Sequence, residues 1–284
     1  MKRDNALVTL LNFINTYSIL VALGSLCCYL FFSKFYEVSV NNYVAIGLAI
    51  GVWVIYTLDH LFDGIQLKHR AIALRHKTHF HNRKQILIVL LISCIFLLVL
   101  AFKIPPKYYS AIGALLIASV FHFLINYLLP VSLKKIFFLK EVFIALVVTV
   151  GFAFVPLLEV DWYFHFSTYY PVFATLFFLN LANLMLFSYY DKSIDEETDT
   201  LSIAGFYSDK ALKIFIYSAL AISMGLSVYL LVNGSDLVSI VPFLLMQLTL
   251  ALVCHFDSVF RRYDRYRFYG DLIYVYPLFA MPFL

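Results

Sequence analysis

Residues 169–195 read YYPVFATLFFLNLANLMLFSYYDKSID, an apolar run closed by two aspartates four positions apart. About 20 mostly apolar residues cross the hydrocarbon core of a bilayer as a helix, so 169–190 predicts a membrane span with Asp191 and Asp195 at its end. At 100° per residue the two carboxylates stand about 40° apart on one helical face and roughly 6 Å apart along the axis. The pattern occurs a second time, where the run 43–63 closes on Asp59-His60-Leu61-Phe62-Asp63. An acidic residue at membrane depth is costly, and two matched pairs of them mark a site.

The chain around these two runs has the same character. By the usual accounting, with Tyr left out and Gly put in, roughly 59% of its residues are apolar, against about 45–50% for soluble chains. Charged residues are 13%, about half the usual share. A water-soluble domain and a disordered chain are both excluded. The net charge of +4 gives no basic excess for nucleic acid. Cys27, Cys28, Cys94 and Cys254 all lie in apolar runs, where a thiol behaves as a small hydrophobe, and no C-x-x-C pair suggests zinc.

Marking every run of bilayer length gives about nine spans, over 8–32, 43–63, 85–102, 108–129, 141–160, 169–190, 211–232, 237–255 and 271–284. The first is too long for a secretory signal and has no small-residue cleavage site. Of the 21 Lys and Arg, 18 fall at the N-terminus or in and beside the second, fourth, sixth and eighth hydrophilic stretches. Basic residues collect on the cytoplasmic side, which predicts a cytoplasmic N-terminus and an external C-terminus. The expected fold is all-α, a polytopic membrane protein forming one domain over 1–284. Both acidic pairs then lie at cytoplasmic ends of even-numbered spans and can face each other across a bundle.

Close carboxylates repel unless a cation lies between them, and four hard oxygen ligands suit Mg²⁺, which completes its shell with water and substrate phosphate. Asp59, Asp63, Asp191 and Asp195 are therefore the candidate metal ligands. The bound anion needs cations of its own, and the candidates are Lys68 and Arg70, from the second hydrophilic stretch that also holds Arg75, Lys77, Arg83 and Lys84, and Lys192, which with Lys210 flanks the other acidic pair. Asn180 and Asn183, about 20° and 80° from Asp191 on a helical wheel, are further substrate-binding candidates. Each feature has a plainer explanation: helix ends carry aspartates, positive-inside topology places the bases, and asparagines join membrane helices.

This arrangement resembles the UbiA superfamily of intramembrane prenyltransferases, whose members have nine transmembrane helices and aspartate-rich motifs at the cytoplasmic ends of the second and sixth. Asp191-x-x-x-Asp195, continuing through Asp199-Thr200-Leu201-Ser202-Ile203-Ala204, is similar to the family's second motif without its usual glycine. In the first motif, N-D-x-x-D-x-x-x-D, this chain has Ile55 and Tyr56 in place of Asn and Asp, leaving Asp59 and Asp63. The resemblance implies Mg²⁺-dependent transfer of a prenyl group from a prenyl diphosphate to an aromatic or other lipophilic acceptor. The allylic cation would form in an apolar tunnel, where some of the 29 Phe and 21 Tyr could stabilise it.

Other classes remain open. A non-catalytic member with the same fold fits the reduced first motif. A transporter fits a polytopic chain, although charge is sparse in the outer halves of the spans. His60, His69, His76, His79 and His81 crowd between the second and third spans and suggest a di-iron oxidase, but His76-x-x-His79-x-His81 is not the H-x-x-H-H spacing of that class. The eighth hydrophilic stretch, with Arg261, Arg262, Arg265 and Arg267, predicts an anchor for anionic lipid or a clamp on the substrate headgroup, the anchor slightly favoured.

Overall fold

The computed structural model describes residues 2–128, 140–160, 162–198 and 203–284. Lys134 and Lys135 of the fourth hydrophilic stretch, and 199–202 of the second acidic motif, lie outside the described residues. The described chain is helical, with no β-strand among the described residues. Its main helices are α1 (Lys2–Thr16), α2 (Ile19–Phe35), α3 (Asn42–Leu67), α4 (Leu74–His81), α5 (Arg83–Ala101) and α6 (Tyr109–Leu128). There follow α7 (Lys140–Thr149), α8 (Trp162–Glu197), α9 (Asp209–Val232), α10 (Leu237–His255) and α11 (Arg265–Leu272).

Local chemistry sets several of these ends. The Asn41 side chain accepts from the amides of Tyr43 and Val44, both at 3.1 Å, and starts α3. Ser208 caps α9 through the Ala211 amide, and Asp236 caps α10 through the Ser239 amide at 2.9 Å.

Six helices among the described residues are long and apolar enough to cross a membrane, or seven if a bent pair is one span. The nine predicted spans are therefore not all present as single straight helices. The first is bent by 67° between Thr16 and Ile19, where Ser18 takes a left-handed conformation (φ 52°). The fifth leaves α7 through a π-helical turn, Val150–Phe154. The ninth is a chain of short pieces after α11, with a 3₁₀ turn over Ile273–Val275 and a restart at Pro277, which has no amide to give.

The helix that begins from the opening stretch lies at the centre. Some 61% of the apolar window of α8 is buried in the protein, against 17% for α5. Val172, Leu176, Leu179, Ala182 and Leu186 repeat at helical spacing and pack with Phe31 and Phe32 of α2, Leu212 and Ile216 of α9, and Leu250 and Val253 of α10. In α5 the apolar residues Leu87, Ile88, Leu91, Ile92 and Leu98 are exposed instead. An apolar surface of that kind suits lipid rather than water. With 36 residues, α8 is about 54 Å long, more than the ~30 Å hydrocarbon core, so one end must project beyond it. Asp191 and Asp195 lie in the last two turns of that helix.

Candidate functional site

The helix α3 carries Asp59 and Asp63 in its final turns, and α8 does the same for Asp191 and Asp195. The short helix α4 lies between the two motifs and sets adjacent residues next to each. Arg75 Nη2 lies 3.4 Å from Asp191 Oδ2, and His76 Nε2 lies 3.5 Å from Asp63 Oδ2. Gly64 permits this approach, since a Cβ there would stand 2.6 Å from the His76 carbonyl oxygen. Asp59 is approached from α6, with His122 Nε2 at 4.0 Å from Oδ1.

Asp191 is the most enclosed of the four aspartates. Besides Arg75, it accepts from Arg267 Nη2 and from the Tyr266 hydroxyl, both on α11. Tyr266 is held by stacking on Tyr190, with ring centroids 4.3 Å apart and planes 7° from parallel, while the Tyr190 hydroxyl donates to the Val253 carbonyl at 2.7 Å. Two guanidiniums and a phenol thus converge on one carboxylate. Such charge-assisted bonds are about twice as strong as neutral ones and more so away from water.

Around this centre lie three buried imidazoles, His60, His76 and His79. The ring of His60 is 5.8 Å from that of His76 and 5.4 Å from that of His79. Arg75 Nε donates to His76 Nε2 at 3.1 Å, and His79 Nδ1 lies 2.8 Å from the Arg75 carbonyl oxygen. Burial first, and the Arg75 charge second, push His76 down to about 2, and burial also lowers His79. At neutral pH these two rings are uncharged hydrogen-bonding groups, and the positive charge belongs to the arginines. Among the described residues no group of three or more His, Cys, Asp and Glu is placed to hold a metal ion.

The remaining predicted residues fall in several places. Lys68 and Arg70 form an exposed 3₁₀ turn after α3. Lys192 pairs with Asp209 at 2.9 Å and donates to the Tyr207 carbonyl at 3.0 Å. Asp195 is half-buried. Asn180 donates to Thr149 Oγ1 at 2.9 Å and accepts from the Tyr274 hydroxyl at 2.8 Å, whereas Asn183 donates to the Gly270 carbonyl at 2.9 Å. Both asparagines are committed to joining α8 to its neighbours. In the eighth hydrophilic stretch, Arg267 turns inward to Asp191, and Arg261 Nη1 donates to the Tyr190 carbonyl at 2.9 Å. The signals in the sequence for Arg267 and Tyr266 were weak, since a basic residue in a cytoplasmic loop is expected on topology alone.

The donor set can be tested against Mg²⁺. Asp59 and Asp63 have side chains 35% and 29% exposed, and as hard oxygen donors they fit a cation that takes one or two carboxylates with water and phosphate. Asp191 as arranged here does not, because its oxygens already accept from three donors.

No family model matches the sequence, and no curated protein matches it. The structure, however, superimposes on that of a UbiA homolog from Archaeoglobus fulgidus bound to GPP and Mg²⁺. The TM-score is 0.60 over 95% of this chain and 99% of that one, with 12% of residues identical. This is an all-helical polytopic membrane protein. Its fold is UbiA-like.

Proposed function

We propose that the chain is a divergent member of the UbiA superfamily, a single membrane domain that transfers a prenyl group from a prenyl diphosphate to an aromatic or other lipophilic acceptor. The observation that carries this reading is the placement of α4, which sets Arg75 on Asp191 and His76 beside Asp63 and so brings the two acidic motifs together at one end of a UbiA-like bundle. Asp59 and Asp63 would hold Mg²⁺. Bound Mg²⁺ supplies charge neutralisation for the diphosphate. Arg75 and Arg267 offer planar forks that match phosphate oxygens, while Lys68, Arg70 and Lys192 stand further out. Asp191 keeps the two buried guanidiniums charged, aligned and compensated until the ligand arrives. Asn180 and Asn183 maintain the helix packing under the site. The apolar bundle supplies a dry medium for the prenyl chain and the acceptor.

The test is thermal stability of the detergent-solubilised protein with geranyl diphosphate, with and without Mg²⁺. A ligand at 100 times its dissociation constant adds about 2.7 kcal/mol, and stabilisation should need both components. A folded protein that gains nothing from any prenyl diphosphate sinks the reading and favours a transporter.

The charge distribution supports a cytoplasmic site, with the N-terminus inside and the C-terminus outside. A cysteine placed at Asn233, in the exposed turn between α9 and α10, should react with an impermeant reagent added outside intact cells. Reaction only after permeabilisation would reverse the orientation.

A further inference from the structure

The helix α1 leaves the bundle at its 67° bend and lies against α4 and α11, the two helices that bring Arg75 and Arg267 to Asp191. Its exit is firmly held. Trp53 Nε1 donates to the Tyr17 carbonyl at 3.0 Å, and the Tyr17 ring lies 6.0 Å from that of His79. From this platform Asn15 Nδ2 donates to the Asp264 carbonyl at 3.4 Å.

The residue it reaches sits at an unusual turn. Tyr263 and Asp264 are consecutive left-handed residues, with φ 59° and 50°. Such a conformation is unfavourable for a non-glycine residue and persists only where its surroundings hold it. Immediately after the turn, α11 begins, and its second and third residues are Tyr266 and Arg267. The turn therefore sets the direction in which both side chains leave the backbone. Beside it is a cavity of about 20 Å³ lined by Asn12, Asn15, Thr16, Leu74, Arg75, Asp264 and Arg267. Asn15 Oδ1 and Arg267 Nε are buried without a protein partner, and a cavity of that size has room for one water to bridge such groups.

We propose that Asn15 is a positioning residue for the anion site: it clamps the Tyr263–Asp264 turn from α1 and so fixes Arg267 for phosphate. This rests on the function proposed above. Asn15 touches the backbone that aims the guanidinium, not the phosphate, so its loss should weaken binding while the chain stays folded.

Two measurements separate this idea from its premise. The first is hydrogen exchange of peptide 262–272 without ligand, which needs no substrate. Asn15→Ala, and the isosteric Asn15→Asp that removes the donor, should each raise exchange there at least tenfold. Asn12→Ala, on the same cavity wall but with no side-chain hydrogen bond among the described residues, should leave it within twofold. The second is affinity for geranyl diphosphate with Mg²⁺, which should fall about tenfold in both Asn15 variants. Unchanged exchange in either Asn15 variant overturns the clamp. Raised exchange with affinity unchanged reduces Asn15 to a structural contact and overturns the positioning role. A wild type that does not bind geranyl diphosphate overturns the function reading and the positioning role together, with the exchange result still reporting on the clamp.

Discussion

Asp191→Ala should destabilise the solubilised protein by about 3–5 kcal/mol and abolish Mg²⁺-dependent stabilisation by geranyl diphosphate. The first effect is electrostatic. The Asp191 side chain is 10% exposed and faces Arg75 and Arg267, 10% and 17% exposed, so truncation leaves two buried guanidiniums without their counter-ion. It also strands the Tyr266 hydroxyl, which donates to the same carboxylate. A double variant, Asp191→Leu with Arg267→Leu, should recover part of the lost stability, because an apolar pair of similar volume can replace a buried ion pair. Ligand stabilisation should stay absent in the double variant. Chemical denaturation in detergent measures the first effect and the thermal assay the second. Stability within 1 kcal/mol of wild type in Asp191→Ala would mean that solvent reaches the arginines, contrary to this structure.

Gly270→Ala should cost about 1–3 kcal/mol, although an alanine inside a helix ordinarily improves on glycine by up to about 1 kcal/mol. The sign is decided by space. An added Cβ would stand 2.5 Å from Phe187 Cε1 and 2.6 Å from Asn183 Oδ1. Asn183 cannot easily move away, since it donates to the Gly270 carbonyl and to the Tyr274 hydroxyl. The Phe187 ring is also constrained, with the Arg267 guanidinium 5.2 Å above it. To accept the methyl group, α11 must shift from α8, and Arg267 and Tyr266 shift with it. Weaker geranyl diphosphate stabilisation should therefore accompany the loss in melting temperature. A variant that melts higher than wild type would show that α11 does not pack on α8 in this way.

These two positions mark how far the sequence could be read. The place of Asp191 was legible, because its carboxylate follows a bilayer-length apolar run and repeats the Asp59-to-Asp63 spacing, but its partners were not: it was expected to hold Mg²⁺, and the structure gives it two arginines and a tyrosine instead. Helical periodicity is local, so the shared face of each pair follows from the chain alone, and α3 and α8 do carry their pairs in helical turns. Gly270 was not legible. Its neighbour Phe187 is 83 positions away in sequence, and only the packed helices reveal that no side chain fits between them.

The same division holds for the site. By itself the sequence determined a polytopic helical membrane protein, through the length and polarity of its apolar runs, and it placed two acidic pairs at helix ends. It also drew the resemblance that the fold bears out. It did not determine how many spans stay unbroken, because the bend at Ser18 and the π turn at 150–154 leave no mark in hydropathy. Nor did it choose among the basic residues, since positive-inside topology puts Lys and Arg in every cytoplasmic stretch and makes the functional ones look like the rest. Only the tertiary structure took Arg75 and Arg267 from those stretches and buried them against Asp191, from 116 and 76 positions away. The physical reason is range: hydropathy and helical pitch act over neighbouring residues, whereas the compensation of a buried charge is settled by whichever distant group the fold brings within a few ångströms.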